Sequence, residues 1–321
     1  MGRPGLPALG DERGLALIIV LLVLSLLLSV VGEFALAMRL EGTTTANFQA
    51  SVTATYLAEA GYQRAVAEIL PEAIAHHLDE TRLLVFRRTR IETPVAPSRR
   101  DIALGAGRFS YRISDEEARL NLNRASPDIL HRLLTELGVE RQIRDVIVDS
   151  ILDWRDPNEE HRLNGAESEY YLALPVPYRS KNADFDTVDE LLQVRGVTPE
   201  IFYGRPESPG LREYLTVAGT GAININTASD VVLRTMGFAQ PEVDLLKAGR
   251  PYFDLSTLSA QLRRGAQRTR SDTFRIEATG QVGGQGRRTL TVLVQRRPDR
   301  AATGVQVATL GWQWKDEEVP R

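Results

Sequence analysis

The most constraining feature of the sequence is one long apolar run near its beginning. Residues 15–31 are seventeen positions interrupted only by Ser25 and Ser29, within the stretch GLALIIVLLVLSLLLSVVGEFALAM at residues 14–38. At about 1.5 Å per helical residue, the run and part of the tail after it are long enough to cross a hydrocarbon core of roughly 30 Å. The sequence therefore predicts a membrane-spanning helix.

This run differs from a secretory signal peptide, whose apolar region has roughly 7 to 15 residues before a cleavage site. Beyond it, apolar side chains recur near helical spacing, and no proline intervenes before Pro71; these side chains are Phe48, Val52, Tyr56, Ala60, Val66 and Ile69. We expect the helix to leave the membrane and continue. Glu59, Arg64 and Glu68 are expected to face solvent, with the apolar face on a globular domain.

Composition limits the remaining part of the chain only loosely. The 321 residues allow a substantial core, and two compact units are expected. A net charge of −3 and a pI of about 5.9 give no general basic surface for nucleic acid. Cysteine is absent, which excludes a disulfide framework. The sequence has no G-x-S-x-G, H-E-x-x-H or phosphate-binding loop motif, so we expect no enzyme.

Periodicity predicts the main helices and strands of the chain after the long N-terminal helix. A helix resumes after Pro71 to about Arg90, with His76 and His77 as ordinary surface histidines. Alternating side chains predict a strand at 107–114 and a hairpin at 273–297, with an edge strand around 305–312. Helices are expected at 127–139, 140–154 and 186–194, and a short return strand at 212–219.

A six-residue motif occurs twice. Residues 121–126 read NLNRAS and residues 224–229 read NINTAS, and an apolar helical run follows each copy. Paired asparagines stabilise turns through bonds from their side chains to the backbone. A turn-capping role is the interpretation that the residues favour.

Residues 153–182 are polar, irregular in period and rich in oxygen donors. Calcium takes six to eight oxygen ligands and can order such a loop, although the spacing is not that of an EF-hand. The candidate side chains are those of Asp153, Asp156, Asn158, Glu159, Glu160, Asn164, Glu167 and Glu169. From the residues alone, a solvated acidic loop is favoured over a calcium site.

Taken in order, these motifs resemble one family. A short leader ending in Gly14 before an apolar helix is similar to type IV pilins, whose fifth mature residue is usually glutamate; here it is Ile19. The motifs DEEARLNLN, NGAESEYY, ELLQVRGVTPE and ININTAS follow, and a hairpin closes the chain. This order resembles the K-type minor pseudopilins of type II secretion systems, which characteristically lack that glutamate.

The resemblance implies an α+β fold, with a type IV pilin-like N-terminal helix on a small antiparallel sheet and a large inserted α-helical, sterile-alpha-motif-like domain. Six segments are expected, in this order: a prepilin leader at 1–14, the membrane half of the pilin helix at 15–38, the amphipathic helix and first sheet strands at 39–114, the inserted helical domain at 115–217, a second sterile-alpha-motif-like unit at 218–268 and the sheet-completing hairpin at 269–321.

The resemblance also implies processing and metal sites. A prepilin peptidase would cut between Gly14 and Leu15. Calcium in the inserted domain becomes the favoured alternative, and its ligands are carried over as Asp156, Asn158 and Glu167, with Asp153, Glu169 and Asn182 as weaker candidates.

The implied function is mechanical: a single-pass inner-membrane protein with a periplasmic domain, which caps the pseudopilus tip and promotes its assembly for export of folded proteins across the outer membrane. Its expected partners are I- and J-type minor pseudopilins, with the secretin or cargo as further possibilities, and no nucleic acid. Two alternatives remain. A minor type IV pilin or pilus-assembly subunit shares the anchor. A membrane-anchored helix-hairpin-helix DNA-binding protein shares ININTAS and LLQVRGVT, but lacks the usual G-x-G hairpin and a basic charge.

Overall fold

A computed structural model describes residues 12–91, 97–283, 286–298 and 305–316, with the side chains of residues 15–315 within these ranges. The predicted leader, residues 1–14, therefore lies mostly outside the described residues. The helices and strands follow one another as α1 (Glu12–Ile69), β1 (Ala75–Leu78), β2 (Leu84–Arg87), β3 (Ile102–Leu104), β4 (Gly107–Asp115), β5 (Leu120–Asn121), α2 (Pro127–Glu136), α3 (Arg141–Arg155), α4 (Ser168–Leu172), α5 (Pro199–Tyr203), β6 (Gly204–Arg205), β7 (Ser208–Pro209), α6 (Leu211–Tyr214), β8 (Leu215–Thr216), α7 (Asp230–Thr235), α8 (Gln240–Ala248), α9 (Ala260–Arg263), β9 (Thr273–Val282), β10 (Gly286–Pro298) and β11 (Val305–Asp316).

α1 is long and apolar enough to cross a membrane, and the most apolar window of its Leu15–Ile69 stretch has no buried side chain. The side chains of this part face outward all round the helix; Ile19, for example, is 54% exposed. A helix that is apolar on every face needs an apolar surrounding. The predicted span is thus consistent with membrane anchoring.

The outer half of α1 packs on the sheet through small residues. Ala54, Ala58 and Ala65 are fully buried, whereas Phe48 and Tyr56 are more than 60% exposed. The predicted apolar face is therefore wrong for Phe48 and Tyr56, whereas Ile69 is fully buried and Val66 packs against the same core. The reason is the close approach of helix and sheet: a Cβ on Gly280 of β9 would lie 2.0 Å from the Ala54 carbonyl oxygen.

Glu68 also departs from the solvent-facing role that the pattern predicted. The guanidinium of Arg99 donates to its carboxylate at 2.7 Å, and the Tyr111 hydroxyl donates to its other oxygen at 2.8 Å. Arg99 is itself 4% exposed. Glu68 is thus a partly buried tie between the end of α1, the segment before β3, and β4.

The sheet has the strand order β11-β10-β9-β4-β3, and every pair in it is antiparallel. Its inward side chains form rows across the strands; Ile276 of β9 stands opposite Val292 on one side and Ile113 on the other. The α1 face and this sheet enclose one apolar core. The strand at 107–114, the hairpin at 273–297 and the added edge strand are confirmed.

The region after Pro71 is not the predicted helix. It forms the antiparallel pair β1 and β2, in which His76 stands opposite Phe86. His76 is fully buried rather than a surface residue, and its Nδ1 accepts a hydrogen bond from the Ser271 backbone N–H at 2.9 Å. Tertiary contacts of Phe86 and Phe274 with the His76 ring at 5.1 and 5.4 Å override the local helical pattern.

Between β4 and β9 the chain builds a second apolar core from short helices. Two predictions here need correction. The helix expected at 186–194 is the shorter 3-10 helix Val188–Gln193. The return strand expected at 212–219 is the helical turn α6 followed by the two-residue strand β8, which pairs in parallel with β5.

Candidate functional site

The repeated motif forms the same turn in both places. The Asn121 Oδ1 accepts from the Asn123 backbone N–H at 2.9 Å, and the Asn224 Oδ1 accepts from the Asn226 backbone N–H at 3.0 Å. Ser126 and Ser229 then cap α2 and α7. The turn-capping interpretation of these motifs is therefore confirmed.

The second asparagine of each motif holds a distant backbone segment. Asn123 donates to the Phe185 carbonyl at 2.9 Å and accepts from the Phe185 N–H at 2.8 Å. Asn226 makes the same two bonds, each at 2.8 Å, to Tyr252. A side-chain amide that pairs both ways with one peptide unit fixes that unit in position and orientation.

An arginine completes each unit. Arg155, at the end of α3, donates to the carbonyls of Leu122 and Ala125 at 2.6 and 2.8 Å. Arg250, just after α8, donates to the equivalent carbonyls of Ile225 and Ala228, both at 2.7 Å. The helical region thus contains two copies of one unit.

The two copies differ mainly in the length of chain between the arginine and the residue whose backbone pairs with the second asparagine. In the second copy, Pro251 alone lies between Arg250 and Tyr252. In the first, residues 156–184 lie between Arg155 and Phe185. The polar, donor-rich segment is therefore an insertion whose two ends are fixed by Arg155 and Asn123. We call residues 156–184 the acidic insertion.

Asp153 and Asp156 meet at the start of the acidic insertion. Asp153 is fully buried, and the Arg162 Nη1 donates to the Asp153 Oδ1 and the Asp156 Oδ2, both at 2.6 Å. Burial raises the pKa of Asp153, and its bonds to Arg162 oppose this increase. In this arrangement, Arg162 supplies the positive charge between the two carboxylates.

Gly165 is required by the approach of the chain to Asp153. A Cβ at this position would lie 1.8 Å from the Asp153 Oδ2 and 2.7 Å from its carboxyl carbon. No other residue type allows this contact without movement. The glycine of the NGAESEYY motif is thus part of the carboxylate site.

Glu167 is the most unusual of the predicted ligands. Its side chain is 3% exposed, yet neither carboxylate oxygen has a hydrogen-bond partner among the described residues. Burial raises the pKa of Glu167 to about 7; the nearby Ser180 hydroxyl opposes this, and the charges of Asp153, Asp156 and Glu159 add to it. Buried acceptors without donors are what a cation would satisfy.

Asn182 presents a second unpartnered oxygen. Its Oδ1 is buried and has no partner among the described residues, while its Nδ2 donates to the Glu159 Oε1 at 3.0 Å. The same oxygen of Glu159 accepts from the Ser168 hydroxyl at 3.0 Å. Asn182 has a φ of 51°, so its backbone lies in the left-handed region.

Two other predicted ligands, Asn158 and Glu169, are exposed at the surface of the insertion. Asn158 is exposed; its Nδ2 donates to the Asp156 Oδ1 at 2.7 Å, which makes it part of the turn after α3. Glu169 is exposed in the first turn of α4 and contributes nothing to this arrangement. Glu159, which links Ser168 and Asn182, was among the oxygen donors named from the sequence but not among the ligands that the resemblance implied.

Within the described ranges, no group of three or more His, Asp and Glu side chains has an arrangement that holds a metal ion. The donor set nevertheless fits calcium in its chemistry, because the three unpartnered oxygens of Glu167 and Asn182 are hard ligands. The sequence-based calcium site stays a prediction.

A polar cluster around Asp115 joins the two cores, and only the letters DEE in the sequence indicated it. Asp115 is buried at the end of β4 and accepts from the hydroxyls of Ser271 and Thr227, both at 2.6 Å, and from Asn224 at 3.2 Å. Burial raises its pKa against these bonds. The first asparagine of the second motif is thus tied to the sheet.

Comparisons with known proteins agree with this architecture. The model of the family described as type II secretion system (T2SS), protein K, matches residues 113–204, which include the first helical unit and the acidic insertion. The type II secretion system protein K of Pseudomonas aeruginosa is 29% identical over 237 residues, which cover 70% of this chain and 68% of that protein. That of Pectobacterium carotovorum subsp. carotovorum is 33% identical over 118 residues, or 36% and 34% of the two chains.

The fold has a counterpart among solved structures. A chain in the crystal structure of the GspK-GspI-GspJ complex from the enterotoxigenic Escherichia coli type 2 secretion system superposes with a TM-score of 0.59 at 18% identity, covering 87% of this chain and 99% of that one. This likeness confirms the α+β pilin-like fold with its inserted helical region. In its family match, its relatives and its fold, the chain is similar to the type II secretion system protein K family.

Proposed function

We propose that the protein is the minor pseudopilin that caps the tip of the type II secretion pseudopilus and promotes its assembly, so that folded proteins can be exported across the outer membrane. The observation that carries this proposal is α1, which is exposed and apolar on every side over residues 15–31. Such a surface is stable only in lipid or among other apolar helices. The role is mechanical, and we assign the chain no catalytic activity.

The position at the tip rests on two features. Ile19 stands where pilins usually carry the glutamate that pairs with the amine of an incoming subunit, so this chain offers no carboxylate for that contact. The helical region between β4 and β9 adds a second core beside the sheet. A subunit of this width fits the end of a filament better than its closely packed body.

An aromatic groove supplies a lateral contact surface. It lies between α1 and the strands β10 and β11, has a volume of about 650 Å³ and is lined by residues including Tyr56, Trp312 and Trp314. Tyr56 and Trp312 are 66% and 67% exposed. Exposed aromatic side chains in a groove are typical of interface anchors. We assign this groove to a neighbouring minor pseudopilin, with the I- and J-type subunits as partners.

Processing and location follow from the same assignment. A prepilin peptidase is proposed to cut between Gly14 and Leu15, which leaves Leu15 as the first residue of the mature chain. The protein would be held in the inner membrane by one span, with its folded part in the periplasm. From there the helical region would be free to meet the secretin or cargo.

Calcium is proposed to bind the acidic insertion. Glu167 and Asn182 would hold it through their unpartnered oxygens, with Asp153 and Asp156 as neighbouring carboxylates now bonded to Arg162. When bound, the ion would supply positive charge that keeps Glu167 ionised, and it would add to the apolar contacts of Ala166 and Tyr171 that hold the insertion on the second core. Asn158 and Glu169 have less support as ligands.

Secretion by a strain that lacks its own K-type subunit tests the tip role. Wild-type protein should restore export, and the double variant Y56A/W312A should reduce it at least tenfold at equal protein level. Y203A removes an exposed aromatic side chain elsewhere, on α5, and should restore export fully. I19E restores the glutamate that other pilins carry and should move the protein away from the tip. Full export by Y56A/W312A, together with an unchanged tip location of I19E, would contradict the proposal.

A further inference from the structure

A groove rich in arginine lies at the end of the sheet beyond α1. Its volume is about 210 Å³, and four arginines line it with two acids: Arg268, Arg270, Arg296, Arg297, Glu72 and Asp272. Pro298 ends β10 here and Val305 begins β11, so the groove lies at the end of that strand pair from which residues 299–304, outside the described ranges, connect the two strands. We call these side chains the arginine groove.

Most of the arginines are left without a close carboxylate by the described part of the chain. Arg268 is satisfied, because it pairs with Glu117 and, at 2.8 Å, with Asp272. Arg270 reaches only Glu72, at 3.9 Å. Arg297 donates to the uncharged Gln295 at 2.7 Å.

Arg296 is the least satisfied of the four. Its Nε is buried and has no hydrogen-bond partner among the described residues. Burial lowers its pKa; the charges of Asp272 and Glu72 oppose this, and that of Arg270 adds to it. A guanidinium that has lost water without gaining an acceptor is costly, and a carboxylate in the groove would remove that cost.

The distance of the arginine groove from the membrane shows whether lipid head groups could be its anions. From Val31, at the end of the apolar run, to Ile69 the helix rises by roughly 57 Å at about 1.5 Å per residue. Glu72 of the groove follows shortly after Ile69, while the opposite end of the sheet, at Gly286, packs on Ala50. Lipid head groups are therefore far from the groove, and a carboxylate of a protein partner is the anion that we consider.

We propose that the arginine groove binds an acidic peptide segment of another protein, whose aspartate or glutamate side chains pair with Arg270, Arg296 and Arg297. The groove is large enough for one or two such side chains at a time. It is separate from the aromatic groove and from the acidic insertion, and it does not depend on the tip assignment.

Binding of labelled hexaglutamate to the full chain in uncharged detergent micelles tests this proposal, with hexaglutamine as the neutral probe. We expect hexaglutamate to bind, more weakly as salt rises, and hexaglutamine not to bind. The variant R270Q/R297Q should bind hexaglutamate at least tenfold more weakly. R141Q/R205Q removes two exposed arginines elsewhere and serves as the charge-matched control, with binding within twofold of wild type.

Several results would overturn the proposal. Equal binding of the two peptides, or equal losses in the two double variants, would mean that the groove has no preference for carboxylates. Displacement of hexaglutamate by an equal concentration of inorganic phosphate would mean a general anion site. Asp299 follows Pro298 in the sequence and lies outside the described residues. Because D299N removes a negative charge next to the groove in sequence, it should bind hexaglutamate at least as tightly as wild type, and weaker binding would contradict the proposal.

Discussion

The side chain of Asn123 forms two hydrogen bonds with the backbone of Phe185, 62 positions further along the chain, at 2.9 and 2.8 Å. Because Phe185 directly follows the acidic insertion, this pair closes the insertion on the first repeated motif. The second copy makes the same pair between Asn226 and Tyr252, with no insertion to close. The second copy is therefore a control for the first, because its asparagine makes the same pair without holding an insertion.

Removing either asparagine side chain should destabilise the fold. N123A loses two hydrogen bonds to Phe185, and N226A loses two to Tyr252 and a third to the Thr269 carbonyl; a buried group left unpaired typically costs about 1–3 kcal/mol. We expect only N123A to weaken calcium binding as well, since only it releases the insertion. Calcium titrations of both variants, with unfolding curves, would measure the difference.

Loss of calcium affinity in N226A equal to that in N123A would contradict this separation. It would mean that calcium responds to general destabilisation rather than to the closure of the insertion.

Calcium should raise the melting temperature of the full chain, and the increase should grow between pH 5.5 and pH 8. The folded-state pKa of Glu167 is raised to about 7, so without calcium this group favours the folded state at low pH and loses that contribution as pH rises through 7. An ion that binds the carboxylate removes the cost of ionisation. Melting curves in EGTA and in calcium at both pH values would show it.

E167Q should abolish most of the calcium-dependent shift. Glu160 is exposed in the same insertion, so E160Q is the matched control and should keep the shift. An identical melting temperature in EGTA and calcium for the wild type would contradict the calcium proposal.

G165A should destabilise the protein by about 1–3 kcal/mol, as overpacking of a tight site commonly does. The added methyl group would occupy the place of the Asp153 Oδ2 and move that carboxylate away from Arg162. G311A adds the same methyl group on β11, where nothing lies within 4 Å, and should change stability little. Equal unfolding curves for G165A and the wild type would show that the loop can move aside.

His76 should make the folded state sensitive to acid. Burial, with smaller effects from Arg296 and Arg270, lowers its pKa to about 3. The unfolded chain takes up this proton near pH 6.5 and the folded chain does not, so stability is lost as pH falls below 6.5 and the loss is complete near 3. From pH 7 to pH 5 this one group should remove about 2 kcal/mol.

The variant H76N tests that contribution, because its amide oxygen can accept from Ser271 without titrating. The stability advantage of wild type over H76N should fall by about 2 kcal/mol between pH 7 and pH 5. A constant difference between the two proteins across this range would show that His76 does not titrate on unfolding.

The sequence was informative where one period dominated. The alternation in 273–297 predicted β9 and β10, and the apolar run predicted α1. It failed where distant contacts decide: residues 75–78 and 84–87 are strands, and His76 packs against both Phe86 and Phe274. The buried face of α1 includes Ala54 and Ala58, whose small size matters only once Gly280 is known to lie against them.

The candidate site shows the same division. The letters NGAESEYY indicated an oxygen-rich segment, but they could not show that Glu167 is buried without a partner or that Arg162 bridges Asp153 and Asp156. The repeat of two asparagines was visible, whereas Arg155 and Arg250 became its members only through their carbonyl bonds. Burial and pairing arise from the folded chain, so spacing alone does not reveal them.

The central claim is that this chain is a K-type subunit that assembles with other minor pseudopilins. The most direct measurement is to co-express the full chain, tagged, with the I- and J-type minor pseudopilins of the same bacterium and to determine the mass of the purified assembly by native mass spectrometry. We predict a complex with one copy of each subunit, lost in Y56A/W312A and kept in Y203A. Recovery of the tagged chain alone, while the I- and J-type subunits associate without it, would contradict the account.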